Sequence, residues 1–298
     1  MTSGFRHSRI VSVLMIACAP FLAGRNASAD EPRRLTTDGR LKFSPVFVAG
    51  GKEIAYCVHD RPKRVSILRL SVQTGKATQM YPKGEGHRFD PAFSPDERYH
   101  AFARSGGPRQ LSLVIVNADT KKQALFHPPG ALRSTVRTPR FTRDGKRVVF
   151  TLNAPGGQQI ASVNLQGRDL KKLTQSAGIN GWPDISPDGK RIAFSSSRDG
   201  TLDIYVMDAD GDNVTRLTKG TSRNIRPAWS PDGKRIAFTS ARDGNYEIYV
   251  MNADGTGLQR LTRHEERDDY PVWHPDGKRL LWIAERKGRF DLYLMPAP

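Results

Sequence analysis

A block of Pro, one residue, an aromatic or apolar residue, a turn rich in Pro, Asp, Gly and Lys, and then an apolar strand recurs along this chain. The clearest copies run from Pro183 to Phe194, Pro227 to Phe238 and Pro271 to Trp282. Weaker ones run from Pro45 to Tyr56, Pro91 to Phe102 and Pro139 to Phe150. Successive leading prolines lie 46, 48, 44, 44 and 44 residues apart. A fixed period of that size, filled with short strands, is the signature of propeller blades. A single copy cannot bury both faces of its small sheet, so the copies must pack on one another.

Residues 227 to 262 show what one copy builds. Ala228-Trp229-Ser230 reads as the innermost strand and Pro231 to Lys234 as a turn, because proline presets φ and glycine supplies a positive one. Arg235 to Ser240 is a second strand. Tyr246 to Asn252 is a third, with Ile248 and Val250 on one face and Tyr249 and Met251 on the other. Gln259 to Thr262 is the outer strand. The last copy stops after its third strand, Asp291 to Met295, and the missing outer Arg-Leu-Thr segment stands at the other terminus as Arg34-Leu35-Thr36. Leu35 lies ten residues before Pro45, as Leu173, Leu217 and Leu261 lie ten before their prolines. The expected fold is therefore all-β: a six-bladed propeller of four-stranded blades, closed by the N-terminal strand joining the last blade. An open β-solenoid is the alternative.

Residues 1–29 read as an export signal, with basic Arg6 and Arg9, an apolar run and Ala27-Ser28-Ala29 as a small-residue cleavage site. The run is too short and broken for a membrane span. Residues 30–298 would then be one propeller domain, exported to the periplasm as a monomer. Lipid attachment at Cys18 is the rival reading. After cleavage Cys57 is the one cysteine left, expected as a small buried thiol. The formal charge of +17 falls to +14 without the three arginines of residues 1–29. Many of the cations, such as Lys190-Arg191, Lys234-Arg235 and Lys278-Arg279, repeat after the same turn and form a ring rather than a groove with stacking aromatics. This argues for an anionic or acidic envelope partner, or for a plain solvated surface, and against nucleic acid.

The chain has no Gly-x-Ser-x-Gly nucleophile elbow and no His-Glu-x-x-His or paired Cys-x-x-Cys pattern. His87, His264 and His274 stand at unequal offsets within their copies, so no metal and no cofactor is expected. Asp208 to Asp212 reads as a turn rather than a calcium loop, since Asn213 and Lys219 occupy the places that need glycine and glutamate.

The copies resemble the propeller repeats of the TolB family of bacterial periplasmic proteins. The residues that carry the resemblance are Ser186 to Phe194, Ser230 to Phe238, Ser197 to Gly200, Asp203 to Gly211 and Arg216 to Thr218. Similar repeats occur in prolyl-oligopeptidase-type peptidases, the tricorn protease and oligogalacturonate lyases. The resemblance implies a Pal-binding platform. TolB proper carries an α/β domain ahead of its propeller, whereas here about fifteen residues separate the cleavage site from Pro45.

The expected binding surface is the face built by loops from each outer strand to the next inner one. Arg88, Arg137, Trp182, Arg226 and Tyr270 are its candidate contacts, with Arg137, Arg140 and Arg226 as a cationic sector and Glu265, Glu266, Asp268 and Asp269 as an acidic one. Packing of Trp182 and Tyr270 between blades is the alternative use of those rings. The functional expectation is a non-catalytic protein-binding module of the cell envelope, with a Pal-like lipoprotein as partner and no nucleic-acid role. Alternatives are a polysaccharide lyase or hydrolase, or a sensor of a small anionic glycan, with a site at the axis.

Overall fold

The computed structural model describes Met1 and residues 31–61, 64–81, 86–107, 110–129, 134–154 and 157–298. Apart from Met1, the expected export signal lies outside them.

Strand β1 (Arg33–Arg34) precedes β2 (Lys42–Val48), β3 (Glu53–Arg61), β4 (Arg64–Ser71) and β5 (Ala77–Gln79). Next come β6 (Arg88–Phe93), β7 (Tyr99–Gly107), β8 (Gln110–Asn117) and β9 (Gln123–Phe126). These lead into β10 (Thr135–Phe141), β11 (Arg147–Ala154), β12 (Gly157–Asn164) and β13 (Lys171–Lys172). The most regular copies are β14 (Asn180–Ile185), β15 (Arg191–Ser196), β16 (Asp203–Asp208) and β17 (Thr215–Arg216), then β18 (Asn224–Trp229), β19 (Arg235–Ser240), β20 (Glu247–Asn252) and β21 (Gln259–Arg260). The last copy is β22 (Asp268–Trp273), β23 (Arg279–Arg286) and β24 (Arg289–Pro296). Inner strands β2, β6, β10, β14, β18 and β22 each touch the next, and β22 touches β2. The molecule is an all-β propeller.

The expectation of six separate four-stranded blades does not hold. Among the described residues, hydrogen bonding yields four four-stranded sheets and one sheet of eight strands, so four blades stand there as separate four-stranded units. In the eight-stranded sheet β10 joins β8 through a parallel contact, Thr135 opposite Leu111. The link is local: Leu111 stands at the start of β8, and Thr135 is the first residue of β10. Hairpin length does not produce it, since β3 and β4 have the same 9 and 8 residues as β7 and β8 and stay in a separate sheet. The proline spacing counts residues per copy and does not record a contact between copies. The expected joining of the N-terminal strand to the last sheet is seen: Arg33 and Arg34 pair with Leu294 and Tyr293, and Leu35 N–H donates to the Leu292 carbonyl at 2.7 Å.

Alternation explains why the sheets stack. From β19 and β20, Ile236, Phe238, Tyr249 and Met251 pack back onto Ala193, Ile204 and Val206. Ala237, Ile248 and Val250 pack forward onto Trp273, Leu280 and Trp282. Each such fully buried Ile, Val or Phe contributes about 1.5–3 kcal/mol by leaving water.

A carboxylate early in the third strand ties the β14–β17 sheet to the next one and closes the ring, whereas among the described residues the equivalent Glu247 bonds only Arg260, Thr262 and the His264 N–H of its own copy. Asp203 accepts Thr218 Oγ1 at 2.6 Å, Arg216 at 2.5 Å and the next sheet's Asn224 Nδ2 at 2.8 Å. At the ring junction Asp291 accepts Thr36 Oγ1 at 2.7 Å, Arg34 at 2.5 Å and Lys42 Nζ at 3.2 Å. The Lys42 side chain is 0% exposed and also bonds Asp38 and the Phe290 carbonyl. His274, where three other copies have serine (Ser94, Ser186 and Ser230), reaches across the same junction to the Gly51 carbonyl and meets the Phe47 ring edge-on. Cys57 is free and buried, its thiol pushed well above the ordinary range by desolvation.

Candidate functional site

The inner strands carry the site because each is interrupted at the same place. Pairing of the first and second strands slips between Phe43 and Val46, Phe89 and Ala92, Arg137 and Arg140, Gly181 and Asp184, Ile225 and Ala228, and Asp269 and Val272. At each slip the residue just before the repeat's proline adopts a positive φ: Ser44 at 50°, Asp90 at 54°, Thr138 at 49°, Trp182 at 53°, Arg226 at 56° and Tyr270 at 59°. A proline disfavours the right-handed helical region for its predecessor, and a bulge relieves the conflict by swinging that residue out of the ladder. All six line one axial cavity of about 430 Å³. Four of the displaced backbone N–H groups meet side-chain oxygens. Thr138 donates to Asp90 at 3.0 Å, Trp182 to Thr151 Oγ1 at 3.1 Å, Arg226 to Ser195 Oγ at 3.1 Å and Tyr270 to Asp269 at 2.7 Å. A left-handed tryptophan, arginine and tyrosine each cost on the order of 1–3 kcal/mol, strain of the kind that concentrates at ligand-binding sites.

The structure joins four of the five candidate residues around this axis. The Arg226 guanidinium carbon lies 5.4 Å from the Trp182 ring centroid and 4.2 Å from that of Tyr270. Its terminal nitrogens bond Asp269 at 3.0 and 3.1 Å and Tyr270 Oη at 3.3 Å. Burial works against the Arg226 charge, but Asp269 and Tyr270 more than offset it and hold the pKa above the ordinary arginine value. Arg137 grips the buried Asp90 carboxylate at 2.6 and 3.3 Å and lies 5.1 Å from the Phe89 centroid. The charge of Asp90 raises Arg137. Burial alone would raise Asp90, yet Arg137, Ser44 and the Thr138 N–H bring it below the usual carboxylate value.

Arg88 is the candidate that stays apart. It lies against Tyr81 at 5.3 Å, its charge disfavoured chiefly by burial, and lines neither this cavity nor the funnel described below. The separate acidic sector also dissolves. Asp268 is buried against Arg286, and Asp269 is buried within the arginine cluster. Arg140 bonds Asp184 at 3.2 Å, and that carboxyl is raised above its ordinary value chiefly by burial. Ser44, Asp90 and Thr138 were missed, although their signal was present: each precedes a repeat proline, as Trp182, Arg226 and Tyr270 do.

Above the cavity, and sharing Arg226 and Tyr270 with it, a funnel of about 370 Å³ opens between Phe43, Phe89, Arg137, Arg267 and Phe290. Among the described residues no group of three or more His, Cys, Asp or Glu is placed to hold a metal ion. The arrangement is suited to gripping a planar or anionic group from a partner.

The family model for the TolB beta propeller domain matches residues 129–227 and 219–298. The chain belongs to the TolB β-propeller family. Over 127 residues it is 34% identical to the Tol-Pal system protein TolB of Gluconobacter oxydans (strain 621H), a match covering 42% of this chain and 27% of that relative's length. The fold superposes on TolB from Acinetobacter baumannii with a TM-score of 0.66 and 25% identity, covering 84% of this chain and 65% of that one. On a putative TolB from Agrobacterium tumefaciens the TM-score is 0.65 at 22% identity, covering 78% of this chain and 98% of that one. The second likeness is one of fold alone.

Proposed function

We propose that this TolB-family propeller is a non-catalytic protein-binding module of the bacterial cell envelope. It would be exported by residues 1–29 and work in the periplasm as a monomer, with residues 30–298 as its propeller. Its axial mouth would receive an envelope protein of the Pal-like lipoprotein kind. The observation that carries the reading is the convergence of Trp182, Arg226 and Tyr270 on one axial cavity, each held there at a backbone cost, with Arg137 beside Arg226 and Tyr270 in the adjoining funnel. Arginine and aromatic residues in a water-shielded central site are the usual energetic anchors of protein interfaces. The family match supports it too. Among the described residues no helix is long and apolar enough to cross a membrane.

The test is affinity capture of the exported protein from solubilised envelope, read by mass spectrometry, beside a variant with Arg88, Arg137, Trp182, Arg226 and Tyr270 all replaced by alanine. Recovery of a peptidoglycan-associated lipoprotein by the parent and at least about tenfold weaker capture by the variant is the expected result, a loss of about 1.4 kcal/mol or more. Circular dichroism guards against misfolding, since Arg137→Ala strands the Asp90 carboxylate. A milder Trp182→Ala variant repeats the test without that hazard. Undiminished capture by well-folded variants would sink the proposal.

A further inference from the structure

The charges around the funnel do not balance. Asp269, only 3% exposed at its side chain, receives both Arg226 and Arg267, together with Thr239 Oγ1 at 2.8 Å and the Tyr270 N–H. One carboxylate thus faces two guanidinium groups, and its oxygens are already well supplied with donors. The other funnel cations are spent elsewhere: Arg137 is matched by Asp90, and Lys42 by Asp38, Asp291 and two carbonyl oxygens. The surplus positive charge therefore sits on the Arg226–Arg267 pair. Arg226 Nε is buried with no hydrogen-bond partner among the described residues, a donor whose desolvation none of them repays. Arg267, with a side chain 39% exposed, spends one terminal nitrogen on Asp269 and lies 4.9 Å from the Tyr246 centroid. Phe43, Phe89, Phe290 and Ile283 wall the funnel, and apolar walls strengthen a charge interaction by excluding water.

We propose that the funnel takes an Asp or Glu side chain from an acidic peptide segment of the partner, its carboxylate held between Arg226 and Arg267 and its neighbouring side chains against the aromatic walls. This deepens the protein-binding reading above and rests on it. A volume of about 370 Å³ suits one or two side chains of a segment rather than a folded domain. Guanidinium pairs grip carboxylates with two parallel hydrogen bonds, which favours Asp and Glu over a neutral residue.

The experiment titrates the exported protein with a fluorescein-labelled Glu-rich peptide, its Gln-substituted twin and an oligogalacturonate of similar charge, following polarisation at two salt concentrations. The Glu peptide is expected to bind most tightly and to weaken with salt, and the Gln twin to bind at least about tenfold more weakly. Arg267→Gln is expected to weaken the Glu peptide at least about tenfold. It spares the Arg226–Asp269 pair, so the fold should survive. Lys234→Gln, in the turn at the opposite end of β18, is expected to leave binding unchanged. Equal binding of the two peptides, indifference to Arg267→Gln, or preference for the oligogalacturonate overturns the inference. Capture of a lipoprotein that persists through Arg267→Gln while the Glu peptide fails to bind overturns this inference alone. Absence of any captured protein overturns the broader reading.

Discussion

Replacing Asp291 with alanine should open the ring where it is held most strongly. The carboxylate joins β24 to the N-terminal segment through Arg34 and Thr36 and to β2 through Lys42. Removing one partner of a buried ion pair costs about 3–5 kcal/mol, because the other charge stays buried. Lys42 would keep Asp38 and two carbonyls, which places its share at the low end, about 3 kcal/mol. Thr36 loses the acceptor of its hydroxyl, worth about 1 kcal/mol. Arg34, with a side chain 39% exposed, adds no more than a fraction of that after solvent screening. The total is about 4 kcal/mol. Asp203→Ala is the internal comparison, because it removes the same Arg and Thr contacts but strands neutral Asn224 instead of a buried lysine. It should cost about 2 kcal/mol. Urea unfolding followed by tryptophan fluorescence reads both, and a difference of 2 kcal/mol moves the midpoint by about 1 M for a slope near 2 kcal/mol/M. Equal losses in the two variants, or a loss below about 1 kcal/mol for Asp291→Ala, would refute the view that the buried lysine holds the ring shut.

Further perturbations test other parts of the structure. His100 is brought from 6.5 to about 4, first by desolvation and then by Lys121 and Arg69, and its Nε2 is buried without a partner among the described residues. The unfolded chain therefore binds the extra proton between those values. This contribution to stability is complete above pH 6.5 and declines as pH falls to about 4. Discounted for partial exposure it amounts to about 1–2 kcal/mol. His100→Phe, which keeps the ring packing on Tyr81 and Phe93, should flatten the fall, and urea midpoints across that window measure it. Gly200 and Gly211 share a φ of 106°, but an added Cβ meets nothing at Gly200 and lies 2.5 Å from the Leu173 carbonyl oxygen at Gly211. Gly200→Ala should cost about 1 kcal/mol of backbone strain and Gly211→Ala at least about 2 kcal/mol more, and thermal melts of the two variants decide it.

Repetition made much of the architecture legible. One copy specifies the short strands, the Ser-Pro-Asp-Gly turns and the two-sided alternation at Ile248, Tyr249, Val250 and Met251, because these depend on contacts within a copy or with an identical neighbour. The displaced Arg34-Leu35-Thr36 segment could likewise be read as the last sheet's missing strand, since the same pattern occupies that place in other copies. Three features could not be read this way, and each depends on residues far apart in the chain. The merging of β8 with β10 rests on one parallel pairing between Thr135 and Leu111, a contact between copies that a proline count does not record. The charges of Asp268 and Asp269, adjacent in sequence, look like a surface patch until the fold turns one onto Arg286 and the other between Arg226 and Arg267. Arg88 and Arg137 stand three and two residues before their repeat prolines on corresponding inner strands, yet one packs on Tyr81 and the other on Asp90 at the axis. Sequence by itself determined the repeating unit and the place where it breaks before each proline. Only the tertiary structure decided which side chains that break sends to the axis and which charges meet there, because a closed ring brings side chains from different copies together at its centre.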